Sequence, residues 1–118
     1  MSAENKAVVR RWIEEVWNKG NLAILDQIID SRFAMHDPST QDFGLGPRGA
    51  RNLVNTYRDA FPDIQLTIED MIAGEEKVVI RWTVSGTYKH GFGGNPPTGK
   101  RMTVTGISIY HITNGKIA

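Results

Sequence analysis

The chain contains no cysteine, and that absence excludes disulfide bonds, a thiolate nucleophile and any zinc site built on cysteine, while suiting a reducing compartment. Neither sign of charge dominates: 14 Lys and Arg stand against 13 Asp and Glu, for a formal charge of +1. There is no broad basic field to steer the chain toward nucleic acid or anionic lipid, so a neutral small molecule is the better partner. No apolar run approaches a bilayer span. Met1-Ser2-Ala3-Glu4 opens a polar helix rather than a charged and then apolar signal segment, so no membrane association and a cytoplasmic location are expected. The three histidines, His36, His90 and His111, are far apart and lack metal-ligand spacing, so no metal site is expected. With 118 residues, 40% apolar and 23% charged, the chain has the composition of a globular protein and the length for a single domain, 1–118.

Apolar periodicity orders the elements. Val8, Val9, Trp12, Ile13, Val16 and Trp17 recur at three- and four-residue steps and predict a first helix, with Ser2 as its N-cap and Gly20 as its end. Asn21 is expected to cap a short second helix through Leu22, Leu25, Ile28 and Ile29. Residues 31–37 read as a short extended segment closed by Pro38. Pro47 suits the first turn of a third helix through Ala50, Leu53, Val54, Tyr57 and Phe61, stopped by Pro62.

Beyond Pro62 the period becomes two. Ile64, Leu66 and Ile68 alternate with polar residues, Gly74-Glu75-Glu76 predicts a hairpin turn, and residues 78–88 predict a second strand. A Gly- and Pro-rich loop, 90–99, leads to a third strand over about 102–112. Asn114-Gly115 is a strong hairpin signal, with only Lys116, Ile117 and Ala118 after it. Helices followed by antiparallel strands define an α+β fold with helices on one face of a sheet.

Several motifs carry more than one reading. Gly44-Leu45-Gly46-Pro47-Arg48-Gly49 matches a dinucleotide-binding pattern, but that pattern needs a parallel strand-helix-strand unit, and here it reads as a loop opening a helix. Arg48, Arg51 and Arg58 read as a solvated helix face. Trp12, Trp17 and Trp82 suit either a flat ligand or the core. The third strand carries Val104, Tyr110 and Ile112 on one face and Ile107 and Ile109 on the other. A strand apolar on both faces is covered on both, which points to a homodimer. The same follows from a sheet edge left open after Ala118, because a bare edge pairs with another subunit.

Trp17-Asn18-Lys19-Gly20-Asn21-Leu22, Met35-His36-Asp37-Pro38, Phe61-Pro62-Asp63, Val79-Ile80-Arg81-Trp82, Pro96-Pro97-Thr98-Gly99-Lys100 and Gly115-Lys116-Ile117 together resemble the SnoaL-like polyketide cyclase, or ester cyclase, family. The resemblance implies the cone-shaped, cystatin-like fold shared with ketosteroid isomerase and nuclear transport factor 2, in which helices close over a curved, mainly antiparallel sheet around a pocket. It also implies intramolecular aldol cyclisation of a flat, apolar polyketide-type ester by acid-base catalysis, with no metal or organic cofactor.

The family's main acid-base residue resembles an aspartate on a last strand, and this chain ends at Ala118 before it. The domain is therefore expected to lack that strand, with a non-catalytic binding or dimerisation module as the alternative. Among residues present, His36, His111 and Asp63 are the candidates for proton transfer, with His36 resembling the family's histidine beneath the helices. Either histidine can instead be structural, and Asp63 can instead cap a turn. Trp12, Phe61, Arg81, Trp82 and His90 are the candidates for substrate binding. Arg81 and Trp82 are alternatives, because neighbours on a strand point to opposite faces.

Overall fold

In the computed structural model, which describes residues 2–34, 43–89 and 98–118 apart from the side chain of Ser2, the first apolar stripe forms helix α1, Ser2–Arg11. It runs on as a wider π-helix over Trp12–Asn18. Trp12, Ile13, Val16 and Trp17 are all buried there. Over so short a stretch the apolar spacing suits α and π winding alike, so the sequence predicts the buried face but not the winding. Asn5, itself buried, donates from Nδ2 to the carbonyls of Gly74 and Glu75 at 3.3 and 2.9 Å, tying α1 to the first hairpin turn.

Two local expectations change. Asn21 makes no side-chain cap; a 3-10 turn over Leu22–Ile24 leads instead into helix α2, Leu25–Ile28. Ser31 and Arg32 form a turn rather than a strand, because the Asp30 carboxylate accepts hydrogen bonds from the Arg32 backbone N–H and Nε at 2.9 and 3.0 Å. Such a local side-chain bond offers the backbone an alternative to a ladder. The strand-like pairing falls earlier, where Ile29 bridges Ile117 in parallel. Phe33 and Ala34 belong to no strand, and residues 35–37, His36 included, lie outside the described residues.

Helix α3 spans Gly46–Ala60 with Pro47 in its first turn. The glycine-rich motif thus opens a helix that is followed by antiparallel strands. Arg58 departs from the expected solvated stripe: its Nη1 donates to the carbonyls of Trp17 and Asn18 at 2.5 and 3.3 Å, closing the end of the first helix with a cation, where the helix dipole favours one.

The sheet runs in the order β1 (Gln65–Ala73), β2 (Lys77–Thr87), β3 (Arg101–Thr113) and β4 (Lys116–Ile117), each pair antiparallel. The turn between β3 and β4 places Asn114 at φ 52 and Gly115 at φ 77, the left-handed pair that this sequence signal requires. One extra residue, Glu69, stands between Ile68, paired with Trp82, and Asp70, paired with Arg81. This bulge exchanges the faces: Leu66 and Ile68 are half-buried before it, Met71 and Ala73 after it.

The helices cover one face. Val9, Trp12, Ile13, Val16, Leu25, Ile28, Val54, Val78, Ile80, Ile112 and Ile117 form the centre of the core. On the opposite face Ile72, Ile107 and Ile109 are 66, 69 and 62% exposed. No described helix is long and apolar enough to cross a membrane.

Candidate functional site

Alternation along β2 and β3 decides which side chains face the helices. Val78, Ile80, Trp82, Val84 and Gly86 share one face of β2, and their cross-strand partners Tyr110, Ser108, Gly106, Val104 and Met102 share that face of β3. At the Gly86 end the helix layer stops at Phe61, leaving a cleft of about 220 Å³. Tyr57, Phe61 and Ile64 form its helix side, and Trp82, Val84, Ser85, Gly86, Met102 and Val104 its sheet side.

Gly86 permits the close approach. A Cβ there would meet the Cβ of Phe61 at 3.0 Å, so a side chain would push the end of α3 off the sheet. Phe61 stacks on Tyr88 with ring centroids 5.3 Å apart and planes at 28°. Tyr57 packs edge-on against Trp17 at 5.8 Å, and Trp17 edge-on against Trp12 at 5.8 Å. The cleft thus backs onto an aromatic chain that continues into the core, and aromatic pairs at these distances hold their geometry.

The polar groups of this face lie deeper. Trp82 donates its indole N–H to Ser108 Oγ at 2.9 Å. Burial raises the Tyr110 phenol above its ordinary value of 10.0, while hydrogen bonding with Ser108 and Trp12 works in the opposite direction. Tyr110 is therefore a neutral hydroxyl at physiological pH, able to donate a hydrogen bond and unsuited to act as a base.

The candidates from sequence separate in space. Phe61 and Trp82 line the same cleft. Arg81 is exposed on the opposite face, so the choice between Arg81 and Trp82 falls to Trp82. His111 shares that outer face, opposite Lys77, and is exposed. The expectation that it faces the pocket is corrected by register: pocket-side residues of β3 have even numbers.

Trp12 is 2% exposed and packs between Trp17 and Phe33, a core position rather than a cleft wall. Asp63 is tied down at the surface. The Thr87 backbone N–H donates to Oδ1 at 2.7 Å and the Thr87 hydroxyl to Oδ2 at 2.8 Å, with Arg101 Nη1 at 3.7 Å. These bonds, the backbone one foremost, hold its carboxyl below the ordinary 3.8, the reverse of what a proton carrier near neutrality needs. It is the turn-capping alternative that the geometry matches. His36 and His90 lie outside the described residues.

Sequence reasoning missed Gly106, Ser108 and Tyr110 as a group. Their signal was the two-residue spacing that sets them on one face, but only the register brings Trp82 onto Gly106.

A family model described as SnoaL-like polyketide cyclase matches residues 7–118. Among solved structures, a protein from Jannaschia sp. CCS1 provisionally described as a SnoaL-like polyketide cyclase superposes with a TM-score of 0.87 at 20% identity, over 98% of this chain and 81% of that one. One from Acidithiobacillus ferrooxidans, provisionally described as a polyketide cyclase, gives 0.81 at 28% identity, over 97% and 82%. AclR from Streptomyces galilaeus, provisionally described as a hydroxylase, gives 0.80 at 25% identity, over 99% and 75%. No functionally curated protein matches the sequence significantly. The matched family model, the α+β architecture and the cleft between α3 and the sheet agree: the chain belongs to the SnoaL-like polyketide cyclase family.

Proposed function

We propose that this protein binds a flat, largely apolar polyketide-type molecule in the cleft between the end of α3 and strands β2 and β3, and that its chemistry is aldol-type ring closure without a metal or organic cofactor. The observation that carries this reading is the cleft itself: aromatic and aliphatic side chains from three elements converge on it, as expected of a site for a neutral ligand. Ring closure needs a proton removed beside a carbonyl and the resulting enolate stabilised. For the first of these tasks, His36 is the remaining candidate.

A second reading, a non-catalytic binding module, is favoured by one observation: among the described residues, no carboxylate lines the cleft. The test is incubation with an uncyclised aromatic polyketide ester, followed by chromatography and mass spectrometry. Ring closure that is lost in His36→Ala supports the enzyme. Binding without turnover supports the module, and neither binding nor turnover overturns both.

We also propose a homodimer through the outer sheet face, where Ile72, Ile107 and Ile109 stand exposed. Sedimentation should give a dimer for the unmodified chain and a monomer for Ile107→Lys; a monomer in both overturns it.

A further inference from the structure

One cross-strand pair at the floor of the sheet beside the cleft joins a residue without a side chain to a tryptophan. Gly106 stands opposite Trp82, and an added Cβ would come within 2.4 Å of the indole Cζ2, 2.7 Å of Cη2 and 3.0 Å of Cε2. All three are carbons of a rigid ring, which cannot yield at one atom and must turn as a whole. Trp82 also lines the cleft, and its N–H is held by Ser108 Oγ at 2.9 Å. The indole is a wall fixed twice, by the missing Cβ beneath it and by the hydroxyl at its nitrogen.

We propose that Gly106, with Ser108, determines the ligand specificity of the cleft by holding the Trp82 indole flat against β3, so that the site selects flat, uncharged ligands of about two fused rings. The proposal rests on the cleft being the binding site. An apolar cavity of about 150 Å³ takes up a single benzene ring, and this cleft measures about 220 Å³. The only donor of the indole is already engaged, so the wall selects by area and thickness and not by hydrogen bonding. A side chain at position 106 would lift the ring into the cleft and break its bond to Ser108. Loss of the Ser108 hydroxyl would free the ring to turn.

The experiment titrates 1-naphthol and 9-phenanthrol into the protein by NMR, with the Trp82 indole N–H resonance reporting occupancy of this cleft. The unmodified chain should prefer the two-ring probe. Gly106→Ala should weaken 1-naphthol by about tenfold or more, the scale of a methylene-sized misfit in an apolar pocket. Ser108→Ala should shift the ratio of the two affinities by more than about threefold, an effect on the same scale of apolar misfit.

In a Trp82→Val background Gly106→Ala should leave both affinities unchanged, because its collision partner is gone; there the resonances of Val84 and Val104 report occupancy. Should Gly106→Ala not fold, Ser108→Ala carries the test. An unchanged affinity ratio in the folded variants overturns the assignment of Gly106 and Ser108 while leaving the cleft as the site. Failure of both probes to bind the unmodified chain overturns the cleft reading and this proposal with it.

Discussion

The two ends of one sheet face, the face toward the helices, differ in what covers them. Near the β1–β2 turn, Val78 and Ile80 are fully buried and Ile112 is 7% exposed, beneath α1 and the π-helical segment. Toward the other end of the same strands, Met102 and Val104 are 44 and 49% exposed on that same face. The alternation of β2 and β3 is unbroken between the ends. What changes is the reach of the helix layer, which stops at Phe61. A strand pattern fixes the face of a side chain; the neighbouring layer fixes whether that face becomes core or cleft.

The largest expected contrast is in stability. Ile80→Ala, at the sealed end, should cost about 2–5 kcal/mol, the transfer and cavity cost of a buried aliphatic side chain. Val104→Ala, at the open end, should cost under about 1 kcal/mol, as for most partly exposed positions. Denaturant unfolding measures both, and equal losses would erase the distinction between the ends.

A smaller effect is expected at the edge of the sheet. Asn18 donates from Nδ2 to the Leu66 carbonyl at 2.9 Å and accepts from the Leu66 N–H at 2.7 Å. Asn18→Ala removes both bonds and should cost about 1–2 kcal/mol, the scale of a pair of partly exposed hydrogen bonds.

Titration sharpens the comparison further. The Tyr110 hydroxyl belongs to the sealed end, and its proton is held above the ordinary 10.0. A raised value means that the associated stability is present below 10.0 and falls away as the pH rises beyond it, where the unfolded chain ionises first. The unfolding midpoint of the unmodified chain should therefore drop more steeply in alkali than that of Tyr110→Phe.

Asp63, at the open end, has the opposite sign. Its carboxyl is held below 3.8, so its contribution is present above that value and is lost as the pH falls through the lowered one. Asp63→Asn should flatten the acid limb slightly, the smallest change of the series, because the group is exposed and screened by solvent. Identical acid limbs would mean that the Thr87 bonds add nothing.

Sequence made much of this molecule legible where a strong local cause acts: the stripe of α1, the Pro47 start of α3, and the Asn114-Gly115 turn. It failed where a side chain competes with the backbone ladder or where a partner strand sets the pairing. Ser31 and Arg32 were expected in a strand, but the Asp30 carboxylate captured the backbone at Arg32. Glu69 gives no local sign of the bulge that exchanges the faces of β1.

In the site, Phe61 and Trp82 were legible as aromatic residues within the family-like stretches Phe61-Pro62-Asp63 and Val79-Ile80-Arg81-Trp82. The pairing of Trp82 with Gly106 was not, because β2 and β3 are joined through residues 88–100 rather than by a tight turn that would fix their register. The same unknown register hid the outward direction of His111 and Arg81.

Asn18 has a consequence beyond the energy of its two bonds. β1 is the outer strand on its side of the sheet among the described strands, and the outward peptide groups of an outer strand are of the kind on which another chain can grow a strand. At Leu66 the carboxamide supplies one donor and one acceptor, as a neighbouring peptide would, and ends there. A foreign strand must evict it to pass. Guarding the border of the sheet is thus a task of the first helix, and any event that frays its last turn uncovers a template for aggregation well before the core is lost.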